Sequence, residues 1–291
     1  MKHKTLRAAI VFLLVNATVV VSVGQGTRPV KQTLSELRAK GISHYQSREF
    51  DKALDVLNKA LAVKPDDAAT NNDLGITYAA LGRHAEAIKF LEQAIKLRPD
   101  FPEALCSLGT EFYHMGDWNK ATEFLQQAIL VKPEYALALN NLGQVYLETG
   151  NYGEARVLFE QAMSRSPDLA EAHHGLAVVF SQVGNYEAVV KHLETAIRIK
   201  PGFFEAHNNL GVAYYHQGQY KQAAQSIARA VQLNQEFGEA IYNLGVLRLM
   251  LRQRADAIAQ YDKLKTLNPK LAGELYRGLY KGMILSLRDQ E

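Results

Sequence analysis

The chain has 291 residues, of which 47% are hydrophobic and 22% are charged, a composition that is typical of a folded protein rather than a disordered one. The formal net charge of +3 arises from Lys2, Lys4 and Arg7, because the rest of the chain contains 30 basic and 30 acidic residues. Nucleic-acid-binding proteins usually carry a basic excess on one face, so this balance argues against nucleic acid as a partner. The single cysteine, Cys106, excludes an intrachain disulfide.

The first 26 residues have the pattern of a secretory signal peptide. The three basic residues precede a mostly apolar run at 8–23, and Gly24 and Gly26 provide small residues for a cleavage site. The run is shorter than the roughly 20 residues that span a bilayer. The pattern therefore predicts an exported protein, periplasmic or extracellular. The alternative is an uncleaved inner-membrane anchor with the protein facing outward, and membrane contact is expected only in that case.

The remaining sequence repeats every 34 residues. Glycine and proline mark the period at Gly82, Gly116, Gly150, Gly184 and Gly218, and at Pro65, Pro99, Pro133, Pro167 and Pro201. A fixed period of this length is typical of an array of small units that each contact only their neighbours. After a linker at 27–33, we divide the chain into seven units: 34–67, 68–101, 102–135, 136–169, 170–203, 204–237 and 238–271.

Each unit is predicted to form two helices, at positions 2–14 and 18–31. Apolar residues recur within a unit at spacings of three and four, which is helical. Position 8 is mostly glycine, and positions 20 and 27 are mostly alanine, so two helices can approach closely. The glycine at position 15 suits a helix end in the left-handed conformation, and the proline at position 32 stops the second helix.

The ends of the helices carry further signals. Asp66, Asp100 and Asp168 follow the prolines and are predicted to cap the next helix. Residues 272–291 are predicted to form a capping helix with Leu275, Leu279 and Met283 on one face, which would cover the apolar surface of the last unit.

These residues resemble the tetratricopeptide repeat family across residues 34–271. The resemblance rests on one pattern in unbroken register, as in Leu142, Gly143, Tyr146, Gly150, Ala155, Phe159, Ala162 and Pro167. It implies an all-α fold, a right-handed α-solenoid of seven helix-turn-helix units. It also implies that the first helices line a concave groove, in which members of the family bind peptides or partner helices. The repeats are similar to those in the arm of the O-linked N-acetylglucosamine transferase.

In this register the groove positions are 2, 5, 6, 9, 12 and 13, and we expect them to be exposed. The candidates for binding a peptide or partner are Asn72, Asp73, Tyr113, His114, Asn140, Asn141, Gln144, Asn208, Asn209, Tyr215, His216 and Asn243. An amide both donates and accepts hydrogen bonds, so the row of asparagines could pair with the backbone of an extended peptide. The alternative is that each amide ties adjacent helices together by bonding to backbone.

Glutamates at position 2, such as Glu103 and Glu171, exclude the basic clamp with which some members of the family grip a terminal carboxylate. They either complement the helix dipole or form an acidic rim that favours basic peptides. The nine histidines are scattered without metal-ligand spacing, Cys106 has no visible thiolate-stabilising neighbour, and no phosphate-binding loop occurs. We therefore expect neither a metal nor a cofactor, and no enzymatic activity.

The sequence favours an exported scaffold that binds a protein segment in the groove, in the assembly of envelope or secretion machinery. One alternative is a membrane-tethered subunit of a larger complex that uses its convex face. A more distant alternative is a non-catalytic arm or partner of a glycosyltransferase-type enzyme.

Overall fold

The computed structural model describes residues 33–281 and Leu287, and the described residues form fifteen α-helices and no strand. This confirms the predicted all-α solenoid. The predicted signal peptide, the linker before Thr33 and Met283 lie outside the described residues. The helices are α1 (Leu34–Gln46), α2 (Phe50–Val63), α3 (Ala68–Ala80), α4 (His84–Leu97), α5 (Pro102–His114), α6 (Trp118–Val131), α7 (Ala136–Glu148), α8 (Tyr152–Arg165), α9 (Ala170–Gln182), α10 (Tyr186–Ile199), α11 (Phe204–His216), α12 (Tyr220–Leu233), α13 (Gly238–Met250), α14 (Arg254–Leu267) and α15 (Pro269–Lys281).

The first fourteen helices form seven pairs that repeat every 34 residues. Within each pair the helices occupy positions 1–13 and 17–30, so they begin and end one residue earlier than predicted. The second helix of each pair packs against the first helix of the next pair. The first helices also contact one another directly, as α1 with α3, α3 with α5, α5 with α7 and α7 with α9. These contacts place the first helices on the inner side of the array, where they line its concave surface.

The two helices of a pair approach most closely where the glycine of position 8 faces the large residue of position 24. A Cβ atom added to Gly143 would lie 2.8 Å from Cε1 of Phe159, which is fully buried. Ala155 and Ala162, at positions 20 and 27, are also fully buried. Small residues at these positions let the side chain at position 24 fill the space between the helices.

The glycine at position 15 closes the first helix of a pair. Gly150 has a φ of +76°, in the left-handed region as predicted. Its N–H donates to the carbonyl of Leu147, and the N–H of Asn151 donates to the carbonyl of Tyr146. This is the Schellman pattern, which satisfies carbonyls that the ended helix leaves free. Arg48 and Arg252 adopt the same left-handed conformation in the first and last units.

The predicted aspartate caps were wrong, because the helices begin at position 1 and their N-cap is position 34. Asp66, Asp100 and Asp168 therefore stand one residue too early to cap. Asp67, the last residue of the first unit, caps α3 and accepts a hydrogen bond from the backbone of Thr70 at 2.8 Å. α5 and α9 follow Phe101 and Leu169, and neither helix has a side-chain cap. Thr33, at the end of the predicted linker, forms a capping box with Glu36.

The capping helix begins three residues earlier than predicted, at Pro269. Proline is compatible with the first turn of a helix, because a backbone N–H at that position would have no acceptor within the helix. The preceding Asn268 accepts a hydrogen bond from the backbone of Leu271 at 3.1 Å, which fixes the start of α15. Leu275 and Leu279 are buried against α13 and α14. No helix at residues 33–281 is both long enough and apolar enough to cross a bilayer.

We expect Gly143→Ala to destabilise the fold by about 1–3 kcal/mol, because its Cβ would overpack the contact with Phe159. Gly153 in α8 is the matched control, since a Cβ there meets no atom within 4 Å. Gly153→Ala should stabilise the helix by about 0.5–1 kcal/mol. Denaturant unfolding of both variants measures the difference, and equal stabilities would contradict the close-approach argument.

Candidate functional site

The concave surface contains a pocket of about 860 Å³, which we call the groove pocket. Residues of α1, α3, α5 and α7 line it, together with His84 at the start of α4, Leu91 further along α4, and Tyr135 just before α7. Among the sequence-predicted candidates, Asn72, His114 and Asn141 share this pocket. Its volume is within the range of ligand-binding sites in proteins, about 300–1,000 Å³. The pocket is therefore a candidate site for a partner on the first helices.

Four of the predicted asparagines are buried rather than exposed. The side chains of Asn72 and Asn140 are 5% and 3% exposed, and those of Asn208 and Asn243 are fully buried. This corrects the expectation of exposure for the asparagines of position 5 and for Asn243 at position 6, whereas Asp73, Asn141 and Asn209 at position 6 are half-buried. Position 5 of one unit lies beneath position 6 of the next unit, so adjacent first helices cover these amides.

Side-chain hydrogen bonds between residues 35 apart connect successive units. Asn243 donates to Oδ1 of Asn208 at 3.2 Å, and Asn209 donates to Nε2 of His174 at 3.0 Å. Arg38 donates to the carboxylate of Asp73 at 2.8 Å in the first two units. Position 5 of one unit and position 6 of the next are thus a structural joint.

The fourth unit uses the same two positions with a different partner. Asn141 donates to the hydroxyl of Thr110 at 2.9 Å, and Asn140 donates to Oδ1 of Asn141 at 3.0 Å. These contacts match the alternative in which amides tie helices together, although their partners here are side chains rather than backbone groups. Asn141 and Asn209 remain half-buried, so they retain some contact with the groove.

The predicted aromatic candidates form two similar clusters, three units apart. The ring of Tyr113 lies 5.4 Å from those of both His114 and Trp118, and that of Tyr215 lies 5.3 Å from His216 and 5.8 Å from Tyr220. Both tyrosines are half-buried and both histidines are exposed. The clusters therefore pack within their own unit and still present ring edges to solvent.

Two interactions extend these clusters across units. The hydroxyl of Tyr113 donates to Glu148 at 3.3 Å, and burial together with this carboxylate raises the pKa of Tyr113 to about 12. The ring of His216 stacks on that of Tyr186 at 4.3 Å. Gln144, the remaining candidate, is half-buried on α7.

The groove pocket also contains residues that the sequence reasoning missed. Glu111 lies on α5 and is 4% exposed, and its carboxylate contacts Nδ1 of His84 at 2.8 Å. Leu137 is 43% exposed in the same pocket. Leu137 stands at position 2, where the units before and after it have glutamate. This difference was visible in the sequence and could have indicated an accessible apolar residue in the groove.

Cys106 contributes a buried thiol to the same pocket. Burial raises the pKa of Cys106 to about 12, against the opposing effect of hydrogen bonds from Tyr135, Thr110 and Asn141. The same burial raises the pKa of Tyr135. Burial outweighs these three hydrogen bonds, which the sequence had not indicated, so the thiolate is disfavoured.

Two glutamates of position 2 form ion pairs with the lysine of position 31 in the same unit. The distance is 3.8 Å between Glu103 and Lys132 and 2.7 Å between Glu171 and Lys200. Both carboxylates also lie in the first turn of their helices, where they complement the helix dipole. Glu103 in addition lines the groove pocket, so it is available to a bound partner.

A repeated pair of helices, with first helices that line a concave pocket, defines a helical-repeat protein of the solenoid class. Models of the tetratricopeptide repeat match residues 41–106, 104–168, 134–201, 204–237 and 239–270. The chain therefore belongs to the tetratricopeptide repeat family. This fold is typically a non-catalytic scaffold for protein interactions. No curated protein matches the chain.

Several solved structures share the fold at low sequence identity. A chain in the crystal structure of the APC/C hetero-tetramer Cut9-Hcn1 matches 85% of this chain at 18% identity and a TM-score of 0.74. The match covers 48% of that chain, so this chain spans about half its length. A tetratricopeptide repeat protein from Parabacteroides merdae matches 84% of this chain and 97% of its own, at 19% identity and a TM-score of 0.62. The pilF protein of Pseudomonas aeruginosa matches 72% of this chain and 96% of its own, at 21% identity and a TM-score of 0.65.

We expect Asn243→Ala to destabilise the fold by about 1–3 kcal/mol, because it leaves the buried Oδ1 of Asn208 without its donor. Asn119→Ala is the control, since Asn119 is exposed on α6 and alanine suits a helix. The measurement is the free energy of unfolding in urea. A variant as stable as the wild type would show that the joint at positions 5 and 6 carries no stability.

His174 should make the stability of the fold depend on pH. Burial lowers the pKa of His174 from 6.5 to about 4, so the unfolded chain binds more protons between these values. The stability that neutral His174 contributes to the fold is complete above pH 6.5 and is lost as the pH falls towards 4. His174→Gln should therefore lose less stability than the wild type between pH 7 and pH 5, measured by urea unfolding at each pH. Parallel losses in both proteins would contradict the neutral, buried state of His174.

Proposed function

We propose that this chain is an exported scaffold that holds an extended segment of a partner protein in its concave groove. The observation that carries the proposal is the groove pocket, which spans the first helices of four successive units. A site shared by several units suits a segment of polypeptide, because such a segment is long enough to contact all of them. Membership of a family of interaction scaffolds supports the same function.

The lining of the groove pocket suits a protein partner. Ile76 and Leu137 offer apolar contacts, and Glu103, Thr110 and Asn141 offer polar ones. A mixed lining of this kind can bury apolar side chains of a segment while polar groups fix its orientation. Tyr45 adds a ring at the edge of the pocket, and tyrosine is enriched at the energetic centres of protein interfaces.

Export is the part of the proposal that rests on sequence. The basic residues before the apolar run at 8–23 support a signal peptide. A role in the assembly of envelope or secretion machinery would follow from that location. Mass spectrometry of the protein from its own cells tests it: a mature chain that begins after Gly24 or Gly26 supports export, and a retained Met1 in the membrane fraction supports a tethered subunit.

The tethered subunit is the second candidate, and one observation favours it. Large apolar side chains are exposed on second helices, away from the groove pocket, including Leu130 on α6 at 82% and Val157 on α8 at 51%. A complex that packed against this outer surface would cover them. In that case the groove would not be the contact that holds the partner.

Two exposed leucines distinguish the groove from the outer surface. Leu137→Lys should abolish co-purification of the partner, because it places a positive charge in the groove pocket, whereas Leu130→Lys should leave it intact. The measurement compares the proteins that co-purify with the wild type and each variant from the native compartment. Circular dichroism provides the folding control. Loss of the partner with Leu130→Lys alone would contradict the groove proposal and favour the tethered subunit.

A further inference from the structure

The described side chains that line the groove pocket carry acidic groups and no lysine or arginine. Glu103 and Glu111 supply two carboxylates, and the only basic side chains among the described lining residues are His84 and His114. We propose that the groove pocket binds a lysine or arginine side chain of the partner segment. This inference rests on the proposed function and specifies the chemistry of the segment that the groove recognises.

The two carboxylates stand at different depths. Glu111 is 4% exposed and is held by His84 at 2.8 Å, so it forms a fixed acidic group at the base of the pocket. Glu103 is half-buried, and its contact with Lys132 is long at 3.8 Å. Such a pair near the surface contributes little, about 0–1 kcal/mol, so a cation from a partner can replace Lys132 at small cost.

An unpaired acceptor lies in the same pocket. Oδ1 of Asn72 is buried without a hydrogen-bond partner among the described residues. The equivalent oxygen of Asn208, four units later, accepts a hydrogen bond from Asn243. In the unit after Asn72 the corresponding residue is Ser107, and no hydrogen bond joins the two side chains in the structure. An acceptor left without a donor favours a ligand that brings an N–H group.

The remaining lining suits the carbon stem of a basic side chain. Ile76, Leu137 and the ring of Tyr45 also line the pocket. Lysine and arginine place their methylene stems along apolar surface and keep the charged group among polar partners. An acidic side chain would meet two carboxylates without a lysine or arginine to pair with. A purely apolar side chain would leave Oδ1 of Asn72 without a donor.

Glu103 and Glu171 provide a matched pair of variants. Both stand at position 2 of their unit and both contact the lysine of position 31, but only Glu103 lines the groove pocket. Glu103→Gln removes a charge from the pocket, and Glu171→Gln removes an equivalent charge two units away. Both side chains are half-buried, so neither change should prevent folding.

The probe is a phage library of random 12-residue peptides. Peptides are selected for binding to the protein in the form that its own cells produce. We expect the selected peptides to share one lysine or arginine position. A synthetic peptide from this set should bind Glu103→Gln about tenfold more weakly than the wild type, and Glu171→Gln within about twofold. Replacing the shared basic residue with glutamine should weaken binding to the wild type and have little further effect on Glu103→Gln.

The outcomes separate this inference from the proposed function. If selected peptides share no basic residue and still lose binding to Leu137→Lys, the groove binds a segment and the inference about its chemistry is wrong. If Glu103→Gln and Glu171→Gln weaken binding equally, the effect comes from overall charge, which also overturns the inference. If no peptide is selected, both the proposed function and the inference are contradicted.

Discussion

The contact between position 8 and position 24 determines the geometry of the whole array. The backbone of Gly143 lies so close to the ring of Phe159 that a larger residue would force the two helices of the unit apart. The same contact between positions 8 and 24 recurs in five of the seven units, which gives successive pairs a similar relation to their neighbours. The first helices then meet along the inner side, and the concave groove is the consequence. A larger residue at position 8 would therefore alter the groove as well as the stability of a single unit.

The groove itself combines structural and accessible side chains. Polar residues at positions 5 and 6 join consecutive first helices at several places, and a paired amide such as that of Asn208 is not free for a ligand. The accessible chemistry lies beside these joints, in the acidic and apolar side chains of the groove pocket, such as Glu103 and Leu137. A repeat protein of this kind keeps its units in register with one set of residues and can vary its partner with another. The third unit illustrates this division, because its buried Cys106 and its half-buried Glu103 line the same pocket.

The sequence predicted the fold because every unit repeats the same local rules. The 34-residue period, the left-handed glycine at position 15 and the small residues at positions 8, 20 and 27 depend on neighbours within a unit. The site was harder to predict, since burial of position 5 depends on the unit that follows. Asn208 is buried because Asn243 covers it, and only complementary residues at a spacing of 35, such as Arg38 and Asp73, signal such joints. His84 and Glu111 belong to different units, and the other units do not repeat this pair. The 34-residue period therefore did not indicate their contact.

Site-specific photo-crosslinking in the source cells tests the central claim, that the groove holds a partner segment, most directly. A photoreactive amino acid would replace His114, which is exposed and lines the groove pocket, or Gln126, which is exposed on α6 outside it. The account predicts a discrete adduct with one partner from position 114 and none from position 126. The same adduct from position 126 alone would show that the partner binds elsewhere, and would contradict the claim.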